Sequence, residues 1–301
     1  MRVRRTLCTL TCLAASCLLC VRLSAQESDD AARLRVTYQS MKLLLDHNSF
    51  HRRLYLDSQE SPSTVTGEIY AVMDHPFATV SAALGDPSKG ATNWCDVLFL
   101  HPNVKYCNVS GSNNGNVLTV NISQKEAPEE LGSTYRLRFA YDAPITGPGY
   151  FHVTLHADSG PLDTRNYRIA LEAASLDSGH TFLHLTYAYS YGTIGRLAIK
   201  GYLSTFGSGK VGFTNVADAS AEQPEYVDGM RGLVERNTMR YYLAIDAWLG
   251  EPPGKPDTRL EQRLSNWFSA SEQYPRQLHE IDRQQYMEMK QQEYRRQQTE
   301  P

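Results

Sequence analysis

Between residues 133 and 191 apolar and polar residues alternate with a period of two through four successive segments, 133–142, 150–157, 166–175 and 180–191. Successive side chains of a strand point to opposite faces. The pattern therefore commits this region to a sheet with one dry and one wet face. The dry face carries Tyr135, Leu137, Phe139 and Tyr141, then Phe151, Val153 and Leu155, then Tyr167, Ile169, Leu171 and Ala173. Leu183, Leu185, Tyr187, Tyr189 and Tyr191 complete it. The wet face carries Arg136, Arg138, His152, His156, Arg168, Glu172, His180 and His184. Two more strand-like segments, 104–109 and 116–123, come before. The connectors GSNNG, KEAPEELG, APITGPG, DSGPLDTR and LDSG are short and rich in turn formers, which predicts antiparallel neighbours. Such a sheet needs a partner to cover its dry face.

The cover is expected downstream. Residues 226–249 show the strongest helical period in the chain, with Met230, Leu233, Val234, Asn237, Tyr241, Ala244, Ile245 and Trp248 on one face. Glu235, Met239, Tyr242 and Asp246 lie opposite. Arg231, Glu235, Arg236 and Arg240 are expected to form exposed pairs three or four apart. Upstream, 30–49 reads as a leading helix through Leu34, Val36, Tyr38, Met41, Leu44 and Leu45. Residues 64–74 read as a strand, and 77–84 and CDVLFL as short helices. Residues 193–206 read as a helix with Ile194, Leu197, Ala198, Gly201 and Tyr202 on one side. After a proline-rich linker the tail is rich in Gln, Glu and Arg. It carries two weak apolar stripes, one of Leu260, Leu264, Trp267 and Phe268, the other of Leu278, Ile281 and Met289. The tail is expected to be a solvated, partly helical extension, dispensable for folding. Docking of a protein partner is the alternative.

The first 25 residues have the order of a secretory leader: Arg2, Arg4 and Arg5, an apolar run from Thr6 to Val21, and small Ala25. The run is shorter than the roughly 20 residues of a membrane-spanning helix, and no later stretch is long and apolar enough to span. A periplasmic or secreted protein is expected, with a lipid anchor at Cys17 as the alternative. Loss of the leader lowers Lys+Arg from 30 to 26 against 33 Asp+Glu, a net charge near −7. That balance argues against nucleic-acid binding. Four cysteines leave with the leader. Cys95 and Cys107, 12 apart, are then expected to form one disulfide rather than two buried thiols. The four strand histidines are expected to be solvated, and no metal is expected. No GxSxG, HExxH or phosphate-binding glycine loop is present, so no catalytic residue and no cofactor is nominated.

TVTGEIYAVMDHPFATVSAALGDP, the corner CDVLFLHPNVKYC, the meander and the closing helix GMRGLVERNTMRYYLAIDAWL follow one another in a familiar order. On these parts, residues 64–249 resemble the START-like (SRPBCC) superfamily. The resemblance implies the α+β helix-grip fold, a curved antiparallel sheet of about seven strands around a long C-terminal helix. It also implies a hydrophobic small molecule, such as a lipid, held between them. The chain then divides into a leader (1–25), an N-terminal helix and lead-in (26–63), the helix-grip domain (64–250), and a linker with tail (251–301).

The residues add an argument of their own. The dry face is rich in tyrosine, and a buried hydroxyl needs a partner, either backbone or ligand. Asn237 sits in the apolar face of the closing helix and needs one too. The candidate ligand-binding residues are Phe139, Leu155, Leu171, Leu185, Tyr187, Tyr189, Tyr191, Asn237 and Tyr241. The inward side of the meander carries no Asp, Glu or His. This favours binding over catalysis, with a cyclase-, isomerase- or hydrolase-like enzyme on the same fold as the alternative.

Overall fold

The structure is a computed structural model describing residues 29–299 apart from 113–114, 124, 126, 205–208, 218–222 and 251–255. The leader with Cys17, and the linker at 251–255, lie outside the described residues. Helix α1 covers residues 29–46. Strands β1 (Leu54–Glu60) and β2 (Thr64–Met73) follow, then helices α2 (Phe77–Leu84) and α3 (Gly90–Phe99). Next come β3 (Val104–Ser112), β4 (Gly115–Ile122), β5 (Tyr135–Tyr141), β6 (Ile145–Gly147), β7 (Tyr150–Ser159), β8 (Thr164–Ser175) and β9 (Thr181–Tyr191). Helices α4 (Thr193–Ser204), α5 (Gly229–Leu249), α6 (Pro256–Ser271), α7 (Pro275–Leu278) and α8 (Arg283–Thr299) complete the chain.

The strands form one sheet in the order β1-β2-β9-β8-β7-β5-β4-β3, with β6 against β7. Every pairing is antiparallel. The long helix α5 packs against β1, β2 and β9. This is the helix-grip arrangement that the resemblance implied. The sheet has nine strands rather than about seven. β1 was read as lead-in, yet Leu54, Leu56 and Ser58 alternate inward and pair with β2. β6 is a three-residue edge inside the connector APITGPG. Gly67 lets α5 come close to β2, since a Cβ there would stand 2.3 Å from Thr238 Oγ1.

The dry face is as expected except at Tyr135, which is half-exposed. The opposite face is not simply wet. Ala31, Leu34 and Leu45 of α1 bury against Val72, Tyr150, Ala174 and Phe182, forming a second small core on the back of the sheet. Val36 and Leu44 of α1 stay exposed. His184, expected to be solvated, is built into a charged clasp on this face. Its Nδ1 lies 3.2 Å from Glu172 Oε2 and its Nε2 2.9 Å from Glu68 Oε1, and its ring stacks on Tyr70. Glu172 also accepts from Arg33 of α1 (2.6 Å) and from the Tyr150 hydroxyl (2.9 Å).

The tail departs most from expectation. Leu264, Trp267, Phe268, Leu278, Ile281, Tyr286 and Met289 are all buried in the main core. Trp267 Nε1 donates to the Arg240 carbonyl at 3.2 Å, and the Tyr286 hydroxyl to the Leu100 carbonyl at 2.7 Å. Glu293 of α8 is fully buried between Lys105 Nζ (3.2 Å) and Lys290 Nζ (2.8 Å). The apolar stripes are short, but they face a matching surface on α5, α3 and β3. As a result α5 is buried on both sides. Met239 and Tyr242 are enclosed, and Glu235, Arg236 and Arg240 are buried rather than forming exposed pairs. Glu235 instead accepts from the Phe213 and Thr214 amides and the Ser58 hydroxyl.

Cys95 of α3 and Cys107 of β3 are bonded, with Cα atoms 5.4 Å apart. No helix among the described residues is long and apolar enough to cross a membrane.

Candidate functional site

The space between sheet and closing helix is not filled. A cavity of about 220 Å³ opens there. Buried apolar cavities of about 150 Å³ already accept a benzene-sized ligand. Strands β4 and β5 supply Val120, Ile122, Leu137 and Phe139, and β8 and β9 supply Tyr167, Tyr187 and Tyr189. From α5 come Leu233, Arg236, Asn237, Arg240 and Tyr241, and Glu280 comes from the turn between α7 and α8. The mouth is edged by Tyr135, Ile199 of α4, and Pro161 and Leu162. The Leu162 turn is set by left-handed backbone at Leu162 (φ 55°) and Asp163 (φ 63°), a conformation that non-glycine residues rarely adopt. On the expected inner side of α4, Ile194 and Leu197 are exposed.

Of the nine residues nominated from sequence, Phe139, Tyr187, Tyr189, Asn237 and Tyr241 line this cavity. Leu155, Leu171 and Leu185 do not; they are fully buried core residues. The register separates two of these: Leu171 and Leu185 share one rung with Val153, and Tyr187 and Tyr189 lie further along β9. Leu155 shares the Tyr187 rung through Ile169 yet does not line the cavity. Tyr191 is structural: its hydroxyl donates to the Ser61 carbonyl at 3.1 Å and lies 3.3 Å from Glu60 Oε1.

Tyr187, Tyr189 and Tyr241 form an aromatic wall, with ring centroids 5.7 Å apart for Tyr187–Tyr189 and 5.2 Å for Tyr187–Tyr241. Among the described residues their hydroxyls find no hydrogen-bond partner. Burial pushes all three hydroxyls up, so they stay protonated donors. The polar end is built around Asn237. His101 Nδ1 accepts from the Asn103 amide at 3.1 Å, and burial lowers the ring to about 3. A neutral ring that accepts at Nδ1 carries its proton on Nε2. That proton points at Asn237 Oδ1, 3.4 Å away, which Arg240 Nη1 also approaches at 3.4 Å. The amide oxygen is thus used twice, leaving Nδ2 as the free donor on the cavity wall.

Arg240 Nη2 pairs with Glu280 Oε1 at 2.8 Å, and Lys210 Nζ reaches the same oxygen at 3.0 Å. Burial pushes the Glu280 carboxyl up, but Arg240 and Lys210 prevail and hold it at about 2. Sequence reasoning missed Arg236, Arg240 and Glu280. Arg240 was assigned to solvent, and Glu280 lies in a tail taken as separate. The signal available was the buried Trp267–Phe268 stripe, which would have brought the tail to this side of α5. Among the described residues no cluster of three or more His, Cys, Asp or Glu is arranged to hold a metal ion.

The fold and this site define a helix-grip protein, an antiparallel sheet packed on a long helix with a cavity between them. No family model matches the sequence, and no curated protein matches it. Three solved structures show low similarity to this chain. Ara h 8.0201 is 14% identical, with 62% of this chain and 97% of that chain covered at a TM-score of 0.36. A norcoclaurine synthase point mutant from Thalictrum flavum, in complex with a transition state analogue, is 14% identical over 50% of this chain and 89% of its own, at 0.34. A START superfamily protein from Mycobacterium smegmatis is 13% identical over 48% and 90%, at 0.30.

Proposed function

We propose that this chain is an exported binding protein for a hydrophobic small molecule, with a lipid as the favoured class, held between the sheet and α5. The observation that carries this reading is the cavity itself. Its walls are apolar and aromatic, and a few donors at one end lack protein partners, the pattern of a ligand site. Protein interiors otherwise pack to crystal density. The leader-like first 25 residues and the Cys95–Cys107 bond both suit an oxidising compartment, the periplasm or the exterior.

An enzyme on the same fold needs an inward acid or base. Glu280 is one that the sequence did not reveal, but at about 2 it stays ionised and weakly basic, and His101 at about 3 is equally far from neutral. General bases work best with a pKa near the operating pH, so these groups suit holding a ligand better than transforming it.

Protein purified from its own envelope should carry a small apolar molecule visible by native mass spectrometry and recoverable by solvent extraction. Its N-terminus should be Gln26; a lipid-modified Cys17 at the N-terminus would instead support the anchored form. Tyr189→Trp should fill the cavity and weaken binding of a fluorescent fatty acid at least tenfold with little change in thermal stability. A wild-type protein that binds no apolar probe would sink the proposal.

A further inference from the structure

The polar end of the cavity is one-sided in its charge. It offers Asn237 Nδ2 and the Arg240 guanidinium as donors, with the Arg240 Nε buried without a hydrogen-bond partner, and the Tyr187, Tyr189 and Tyr241 hydroxyls, which can donate or accept. Two of its acceptor atoms are already in use. Asn237 Oδ1 takes His101 and Arg240, and Glu280 Oε1 takes both Arg240 and Lys210. Two cations share one carboxylate, so this cluster carries a surplus positive charge next to an apolar chamber. A neutral alcohol could exchange hydrogen bonds with the tyrosine hydroxyls, but it would leave the surplus positive charge unmatched. A carboxylate brings acceptors only, supplies the missing negative charge, and matches the planar fork of an arginine.

We propose that the ligand is an apolar carboxylic acid, its carboxylate seated between Arg240, Asn237 Nδ2 and the Tyr241 hydroxyl, and its chain lying between Leu137, Phe139 and the mouth at Ile199. Glu280 then acts as the internal stand-in for that carboxylate, holding Arg240 in place and competing with the incoming acid. The tail thereby takes part in the site, because it supplies the competing group. This inference rests on the cavity reading above and names its ligand class.

The test is calorimetric titration of the full mature chain at pH 7 with decanoate and with decanol, which share a chain and differ in the head. The expected result is at least tenfold tighter binding of decanoate. Glu280→Gln should tighten decanoate further and leave decanol unchanged. Arg240→Met should bring the two affinities together. Equal binding of acid and alcohol by wild-type protein would overturn the acid-head proposal and leave the cavity reading standing. Failure to bind either would overturn both. Because the wild-type comparison needs no variant, misfolding of Arg240→Met leaves the result decisive.

Discussion

Glu172 shows how a side chain can be mistaken for surface and yet fasten the fold. It sits on the back of the sheet, where alternation predicts solvent. Burial raises its carboxyl, but hydrogen bonds from His184, Arg33 and Tyr150 outweigh that and hold it at about 2, below its ordinary 4.5. A depressed carboxyl stabilises the fold above about 4.5, and that contribution fades as pH falls toward 2. His184 is raised above its ordinary 6.5 by Glu172 and Glu68, against the opposing pull of burial. Its contribution is full below 6.5 and is lost as pH climbs through the raised value. The clasp is therefore fullest between about pH 4.5 and 6.5. Glu172→Gln should cost ~2 kcal/mol near pH 6, in the range of hydrogen bonds to charged groups. The gap from wild type should close by pH 2. Urea melts across pH would show it; a gap that persists at pH 2 would mean that Glu172 acts only through packing.

The element whose role changed most is the tail. Its polar composition and the linker before it argue for a separate extension. Yet α6 and α8 bury Leu264, Trp267, Phe268, Tyr286 and Met289. Each large apolar side chain contributes ~1.5–3 kcal/mol on burial. Together these rival the ~5–15 kcal/mol that holds a typical domain folded. A chain ending at Gly250 should show no cooperative thermal transition by circular dichroism. A truncated chain melting within a few degrees of wild type would show that the tail does not pack as described. The Cys95–Cys107 link joins α3 to β3 at the corner under α8. Thiol counting on the denatured, unreduced mature chain should give zero. Replacing both cysteines by serine should cost ~3 kcal/mol in the chain-entropy model of a loop this short.

At the scale of the whole molecule, sheet, α5 and tail enclose one chamber, so ligand and fold should be coupled. A ligand that binds only the folded chain adds ~2.7 kcal/mol of stability at one hundred times its Kd. Saturating apolar acid should raise the melting temperature by several degrees, and solvent extraction of a purified sample should lower it. A melting temperature indifferent to both would mean the chamber is empty in solution. The sequence by itself determined the antiparallel meander, its dry face and the gripping helix, because periods of 2 and 3.6 are local and survive without tertiary knowledge. It also pointed to the one disulfide and to Phe139, Tyr187, Tyr189, Asn237 and Tyr241 on the cavity wall. Only the tertiary structure decided that Leu155, Leu171 and Leu185 are filled core, that Tyr191 is tied to the Ser61 turn, and that Arg240 and Glu280 meet inside. Those outcomes depend on what packs against each rung and each helix face, and that is set by contacts between distant segments, 40 residues apart for Arg240 and Glu280 and 130 for Tyr191 and Ser61, which no local pattern encodes.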